Sequence, residues 1–212
     1  MKTTGETVDF VQHHMKVIVV GVGALLVIII AILIFRNSAA QGDEQAAGIL
    51  ADARGDMGRG ALEPAAALLT RVIEDHGKTA AAREAHLIYA HLRYSQERYS
   101  EAEVSYREAL DAYQKDPLIG PLVRRGLAAT LENLTRYEEA SSVYETLIAE
   151  TPPGDIRVEF SLALARNYLK TGRTAEATAI YEEIAANFDN PQAAQAAKQR
   201  LAEINATGAT IG

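Results

Sequence analysis

The sequence contains no cysteine among its 212 residues. This absence excludes disulfides, thiolate nucleophiles and cysteine-based metal sites. It also excludes a bacterial lipoprotein anchor, which needs a cysteine after the apolar segment to carry the lipid. The redox compartment stays open, because many proteins outside the cytoplasm also do without disulfides.

Positive charge is scarce as well. The chain has 21 Lys and Arg residues against 28 Asp and Glu residues, which gives a formal net charge of −7. Residues 1–36 carry +1, so the remaining chain carries −8. A negative field repels phosphate backbones, and no stripe of Lys and Arg offsets it, so we expect no nucleic-acid partner. An apolar content of 48% supports a packed core.

Catalytic motifs are also missing. The sequence has no nucleophile elbow, P-loop, HExxH motif or dinucleotide-binding glycine motif. None of the five histidines falls in a recognised catalytic motif, and His86 and His91 are five residues apart on one predicted helix, a poor spacing for a shared metal ion. We therefore predict that the chain is not an enzyme and binds neither a cofactor nor a metal.

One long apolar segment lies near the start of the chain. From Val17 to Phe35 it reads VIVVGVGALLVIIIAILIF, without a charged or polar side chain. As a helix this segment is about 28 Å long, enough to cross the hydrocarbon core of a bilayer. It predicts a retained transmembrane helix. The alternative is a cleaved signal peptide and a soluble chain, because Ser38-Ala39-Ala40 offers small residues at the spacing that signal peptidase reads.

The distribution of Lys and Arg gives only weak evidence for the orientation of this span in the membrane. Lys2 and Lys16 precede it, and Arg36 and Arg54 follow it within about 20 residues, so the positive-inside rule alone does not decide. A short tail before the span and a long folded region after it are typical of a signal anchor with its N-terminus in the cytoplasm. We therefore expect residues 37–212 to lie outside the cytoplasm.

The rest of the chain repeats a helical pattern of alanine, an aromatic residue four positions later and an apolar residue three positions after that. Its copies are Ala102…Tyr106…Ala109, Ala140…Tyr144…Leu147, Ala177…Tyr181…Ile184 and the weaker Ala65…Leu69…Val72. The alanines are 37, 38 and 37 residues apart, a nearly constant period that predicts four structural repeats.

Each copy of the pattern is preceded by a second predicted helix. Its signature is Leu127-Ala128-x-x-Leu131 in the third repeat and Leu164-Ala165-x-x-Tyr168 in the fourth. Glycine at 172 ends the first helix of the last repeat, and Pro-Pro-Gly at 152–154 separates the last two repeats. A single hairpin buries little surface, so stacking of hairpins supplies the core.

These residues resemble the tetratricopeptide repeat. The resemblance implies an all-α, right-handed superhelix of helix hairpins, here preceded by one transmembrane helix. The sequence departs from the usual period of about 34 residues, and His86, Arg124 and Ser161 occupy the position where tryptophan is common. The first repeat is degenerate, and Gly55, Gly58 and Gly60 predict that its first helix is short or frayed.

These patterns divide the chain into six predicted segments. They are a short tail (1–16), a transmembrane helix (17–35), a linker (36–44), four helix hairpins (45–190), a capping helix (191–205) and a disordered tail (206–212). The cap is predicted from apolar residues at helical spacing between Ala193 and Ile204, which would close the last hairpin.

The layout of the whole chain also resembles YfgM-like proteins. The shared features are an amphipathic run in the tail (Val8, Phe10, Val11 and Lys16), a single span, and a degenerate first repeat followed by better ones. This resemblance implies a single-pass protein of the bacterial inner membrane whose repeats face the periplasm. It also implies the Sec translocon and periplasmic chaperones as partners.

In tetratricopeptide folds the first helix of each hairpin lines a concave surface, so the resemblance implies a protein-binding groove. Its residues are Glu84, His91, Tyr94, Arg125, Asn133, Arg166 and Lys170. The basic members could receive an acidic segment or a C-terminal carboxylate, or could simply balance an acidic surface. A hypothesis of another class is a homo-oligomeric structural scaffold that associates through exposed Tyr and Ala faces.

Overall fold

The computed structural model describes residues 40–187 and 190–208, together with Leu25 and Ile29. These ranges contain helices and turns and no strand. The predicted tail 1–16 lies outside them, and so does the predicted transmembrane segment 17–35 apart from Leu25 and Ile29. Among the described residues, no helix has both the length and the apolar composition needed to cross a membrane.

The described chain forms four consecutive helix hairpins and a final helix. The first hairpin is α1 (residues 40–58) with α2 (Leu62–Asp75), the second α3 (Ala80–Ser95) with α4 (Tyr99–Tyr113), the third α5 (Ile119–Asn133) with α6 (Tyr137–Glu150), and the fourth α7 (Asp155–Lys170) with α8 (Thr174–Asn187); α9 (Pro191–Gly208) follows. Each helix from α2 onward packs against the next one, while α3 contacts α5 and α7 contacts α9. The hairpins therefore stack into a superhelix.

The repeated alanine and aromatic residues form the core, as predicted. Within the third hairpin, Ala140, Tyr144 and Leu147 are all buried. The corresponding residues of the other three hairpins are buried too, including those of the weak first copy. Alanine lets the two helices of a hairpin approach closely, and the aromatic side chain fills the space above it.

Each hairpin turns through one residue with left-handed backbone geometry. These residues are Gly60 (φ 76°), Glu97 (φ 60°), Thr135 (φ 59°) and Gly172 (φ 78°). In every case the next amide donates a hydrogen bond of 2.8–2.9 Å to the carbonyl five residues earlier. This is the Schellman arrangement that ends helices, and it recurs at the period of the repeat.

The first and last helices are longer than the sequence indicated. Helix α1 includes residues 40–44, which were predicted as linker, and runs without a break to residue 58 despite Gly55. A glycine inside a helix lowers the stability of that helix by about 1 kcal/mol. Ala46, Leu50 and Ala53 are buried against α2 and α3, and the free energy gained from this packing is larger than the cost of the glycine. Helix α9 likewise continues to Gly208, beyond the predicted end of the cap at residue 205.

Candidate protein-binding groove

The seven predicted groove residues lie on the first helices of three consecutive hairpins, and all are exposed or half-buried. Glu84, His91 and Tyr94 are on α3, Arg125 and Asn133 are on α5, and Arg166 and Lys170 are on α7. Since α3 contacts α5 directly, the structure brings the residues of these two helices onto neighbouring surfaces. We call the surface formed by these seven residues the groove.

Four of the groove residues make polar contacts between successive first helices. The pairs are Arg54 with Glu84, Asn133 with Tyr94 (Nδ2 to Oη, 3.1 Å), and Arg125 with Glu159 (Nη2 to Oε1, 2.6 Å). Each pair joins one hairpin to the next across the groove. Because the ion pairs are exposed, they contribute little to stability, about 0–1 kcal/mol each, but they orient the side chains along the groove.

His91 is used in packing. Its ring meets Tyr106 edge-on at a centroid distance of 5.4 Å, and its Nδ1 lies 2.9 Å from the carbonyl oxygen of Leu87. Burial raises the pKa of Tyr106 to about 12.

Within the described ranges, no group of three or more His, Asp or Glu side chains is placed to hold a metal ion.

Arg166 and Lys170 differ from the other charged members of the groove. They are four residues apart on α7, so they lie on the same face of this helix. Both are exposed, and neither forms an ion pair or a hydrogen bond with its side chain in the part of the chain that the structure describes. Their charges are therefore available to a binding partner.

Sequence reasoning missed Glu132, which connects two hairpins at the edge of the groove. Its carboxylate accepts hydrogen bonds from Tyr144 (3.3 Å) and from Asn167 of α7 (2.9 Å), which is only 2% exposed. Burial, followed by the nearby Glu132 carboxylate, raises the pKa of Tyr144. The sequence did offer a signal for Glu132. It lies next to the predicted groove residue Asn133 on a first helix, and three positions after Ala129 on the same helix.

A second concavity lies outside the groove, between α6, α7 and α8. This cleft has a volume of about 330 Å³, and its lining combines apolar residues such as Ile148, Leu164 and Ile184 with the charged residues Arg157 and Glu183. Ser161 also lines it, at the position where the resembled repeat commonly has tryptophan. The equivalent residue of the third hairpin is Arg124, whose Nη1 lies 2.9 Å from Oε2 of Glu150. Serine is much smaller than arginine, so it leaves open space at this position of the fourth hairpin.

Comparison with known proteins identifies the class of this chain. The family model described as Tetratricopeptide repeat-like domain matches residues 9–154, and the model described as Tetratricopeptide repeat matches residues 135–201. The chain therefore belongs to the tetratricopeptide repeat family. Repeats of this family serve as scaffolds for protein–protein interaction and are typically non-catalytic. No curated protein sequence is similar enough to the chain to count as a match.

Solved structures share the fold at low sequence identity. A tetratricopeptide repeat protein from Parabacteroides merdae has a TM-score of 0.64 at 17% identity, covering 79% of this chain and 61% of that one. A Podosopora anserina protein with nearly identical TPR-like repeats has a TM-score of 0.60 at 16% identity, covering 79% and 89%. MamA from AMB-1 has a TM-score of 0.55 at 21% identity, covering 64% and 68%. At these identities the likeness shows the fold alone.

Proposed function

We propose that this chain is a single-pass, membrane-anchored scaffold of the bacterial inner membrane, with its repeats in the periplasm. In this role the groove binds segments of other proteins and assists protein translocation, periplasmic chaperoning or envelope assembly. The observation that carries the proposal is the pair of exposed, unpaired cations Arg166 and Lys170 in the groove of the described repeats. A scaffold needs such uncommitted groups on an accessible surface.

The proposed anchor is supported by the apolar segment 17–35, which has the length and composition of a membrane span. The match to the tetratricopeptide repeat-like domain begins at residue 9, so it includes this segment. The resemblance to YfgM-like proteins supports the Sec translocon and periplasmic chaperones as the proposed partners.

Copurification tests the scaffold role. The full chain and a truncated chain ending after residue 44 would be expressed with the same affinity tag, and the proteins that copurify with each would be compared. We expect the truncated chain to lose the partners, because it lacks the groove. The variant Arg166→Ala/Lys170→Ala should lose them as well, while Arg71→Ala, which removes a charge on α2, should keep them. Undiminished copurification after truncation would rule out the scaffold role.

Protease accessibility in spheroplasts tests the proposed orientation. We expect added protease to degrade residues 37–212 in unlysed spheroplasts, with intact cells and detergent-lysed cells as controls. Protection in unlysed spheroplasts would place the repeats in the cytoplasm and redirect the search to partners there.

A homo-oligomeric scaffold is the second candidate function. The observation that favours it is a pair of apolar side chains exposed one turn apart on and before α5, Leu118 at 79% and Leu122 at 58%. Exposed apolar surface of this kind is often covered by another protein chain. Light scattering across a concentration series distinguishes the two candidates, because a strict monomer at high concentration would exclude self-association.

A further inference from the structure

The two ends of the hairpin array differ in chemistry. Because neighbouring helices of the stack run antiparallel, the turns inside hairpins lie at one end, the turn end, and the loops between hairpins lie at the other, the loop end. The turn end is polar. In each of the last three hairpins an arginine at the turn pairs with a carboxylate at 2.6–2.9 Å: Arg98 with Glu101, Arg136 with Glu139, and Arg173 with Glu176.

The loop end exposes large apolar side chains instead. Leu118, just before α5, is 79% exposed, Leu122 in the first turn of α5 is 58% exposed, and Ile156 in the first turn of α7 is 61% exposed. The loops before these helices add Pro117 and the two prolines at 152–153, all exposed. Such a concentration of exposed apolar surface marks a contact with another protein or with a membrane. We call Leu118, Leu122 and Ile156 the apolar patch.

The three residues of the apolar patch are neighbours across two helices. Arg125 of α5 and Glu159 of α7 form an ion pair at 2.6 Å, which places these residues side by side. Leu122 lies three positions before Arg125, and Ile156 lies three positions before Glu159. Because both first helices run in the same direction, Leu122 and Ile156 therefore lie next to each other, one turn closer to the loop end. Leu118 is one turn further on.

The path of the chain indicates what covers this patch. Only residues 36–39 separate the proposed span 17–35 from α1, which begins at residue 40. Four residues reach at most about 14 Å, so α1 begins close to the bilayer that holds the span. As a first helix, α1 begins at the loop end of the array, as α5 and α7 do. The end that carries the apolar patch is therefore the end at which the chain would leave the membrane.

We propose that the apolar patch rests on the lipid bilayer that holds the anchor. Leu118, Leu122 and Ile156 enter the interfacial layer of the bilayer, while the ion pairs of the turn end stay in water. The contact can be weak, because the short linker makes it intramolecular and so keeps its effective concentration high. This inference rests on the membrane anchor of the proposed function, and it adds a second contact between the repeats and the membrane.

Tryptophan fluorescence in the full chain tests the contact, because the sequence contains no tryptophan. The chain would be reconstituted in phosphatidylcholine vesicles with and without bromine on the acyl chains, which quenches an indole that touches the lipid. We expect the emission of Leu118→Trp and of Ile156→Trp to fall about twofold or more in brominated vesicles. The matched control is Leu62→Trp, since Leu62 is 37% exposed but lies at the turn end beside Gly60. Its emission should change by less than about a tenth.

A tryptophan in the proposed span separates failure of the anchor from failure of the patch. Quenching of Ile29→Trp without quenching of Leu118→Trp and Ile156→Trp would leave the anchor standing and overturn the membrane contact. No quenching of Ile29→Trp would refute the anchor and this inference with it. An indole at 118 or 156 whose emission shifts to the blue without quenching would also overturn the contact, because a second protein chain would then cover the patch.

Polar substitutions within the patch test whether its side chains make the contact. In a Leu122→Trp background, Leu118→Gln/Ile156→Gln should remove the quenching to within about a tenth, with thermal stability unchanged because both side chains are exposed. Val104→Gln is the control, since Val104 is 62% exposed on α4 outside the patch, and it should leave the quenching as it is. Quenching that persists undiminished in Leu118→Gln/Ile156→Gln would overturn the proposal.

Discussion

The turn inside each hairpin depends on a single residue in the left-handed backbone region. Glycine occupies this position in the first and last hairpins, whereas Glu97 and Thr135 occupy it in the middle two. For a residue with a side chain this conformation costs roughly 1–2 kcal/mol, and branching at Cβ makes threonine the worse case. Packing of the hairpins therefore offsets a local cost at these two turns.

Replacing Thr135 with glycine is expected to raise the free energy of unfolding by about 0.5–1 kcal/mol. The gain is smaller than the full backbone cost because glycine loses more conformational entropy on folding. The reverse change at the equivalent position, Gly172→Thr, should lower the free energy of unfolding by about 1–2 kcal/mol. Urea unfolding followed by circular dichroism measures both, and a loss of stability in Thr135→Gly would contradict this account of the turn.

The contact between α4 and α5 depends on the missing side chain of Gly126. A Cβ atom built there would lie 2.4 Å from Cε1 of the buried Tyr106 ring. The ring is held in the core, so either helix has to shift to make room. We expect Gly126→Ala to lower the free energy of unfolding by about 1–3 kcal/mol, although alanine is the better helix former. Thermal unfolding provides the measurement.

Gly48→Ala is the matched control for this prediction. Gly48 lies inside α1 with no atom within 4 Å of a built Cβ, so alanine should stabilise the chain by about 0.5–1 kcal/mol. In a Tyr106→Leu background, the penalty of Gly126→Ala should shrink because the ring is gone. A penalty that does not depend on residue 106 would show that the ring contact is not its cause.

Helices α2, α3 and α4 are joined by a nearly buried cation on α3. Arg93 is 6% exposed, and its Nη1 lies 3.0 Å from Oε1 of Glu63 on α2 while its Nε lies 3.2 Å from Oε2 of Glu101 on α4. Its guanidinium carbon also lies 4.8 Å from the centre of the Tyr89 ring. One side chain thus connects two hairpins through charge and packing.

Arg93→Ala is expected to lower the free energy of unfolding by about 1–3 kcal/mol, because it removes both the ion pairs and the packing of the side-chain stem. The control is Arg71→Ala, since Arg71 forms only an exposed pair with Asp75 at 3.6 Å and should change stability by less than about 0.5 kcal/mol. Urea unfolding compares the two variants, and equal effects would argue against a connecting role for Arg93.

The Arg93 network also makes stability depend on pH. The hydrogen bond from Arg93 lowers the pKa of Glu63 below its ordinary value of 4.5, despite an opposing contribution from burial. The stabilisation is therefore fully present above about pH 4.5 and is lost as the pH falls through the lowered pKa. Urea unfolding at several pH values should show a shallower loss of stability in acid for Arg93→Ala than for the unchanged chain.

Sequence periodicity predicted the hairpins and most of their core residues because every repeat must bury the same positions against its neighbours. Leu131 and Tyr168 were placed correctly in this way. Arg93 occupies the equivalent position of the second hairpin, and periodicity gave no reason to bury a cation there. Its carboxylate partners lie on the two neighbouring helices, so these ion pairs can be recognised only from the structure of the stacked hairpins.

Side-chain pairing in the groove was unpredictable for a related physical reason. The positions of Tyr94 and Asn133 on first helices followed from the repeat, but their hydrogen bond depends on how far α5 is displaced along α3. That displacement results from packing, which the spacing of residues does not specify. The binding role of the groove residues stays a prediction.

At the scale of the whole molecule, the helices from α2 to α9 contact only near neighbours in the chain. The stability of such an array is approximately a sum of terms for each hairpin and each interface. The fourth hairpin depends on α9, because Ala197 is buried in the same apolar cluster as Tyr181 and Ile184. Helix α9 therefore closes one end of the stack.

Removing residues 191–208 should loosen the end of the array without unfolding its middle. We expect amide protection in α7 and α8 to fall tenfold or more, because their apolar residues become exposed, while α3 and α4 keep their protection. Hydrogen exchange measured by mass spectrometry resolves the helices separately. A uniform loss of protection from α2 to α8 would show that the array unfolds as one unit.

The near-neighbour contacts have a mechanical consequence. Tension applied between the two ends of the array passes through every interface in turn, as it does through the links of a chain. The weakest interface opens first and lengthens the molecule, while the other interfaces stay closed. When the tension ends, we expect that interface to close again, because the hairpins on either side of it have kept their own packing.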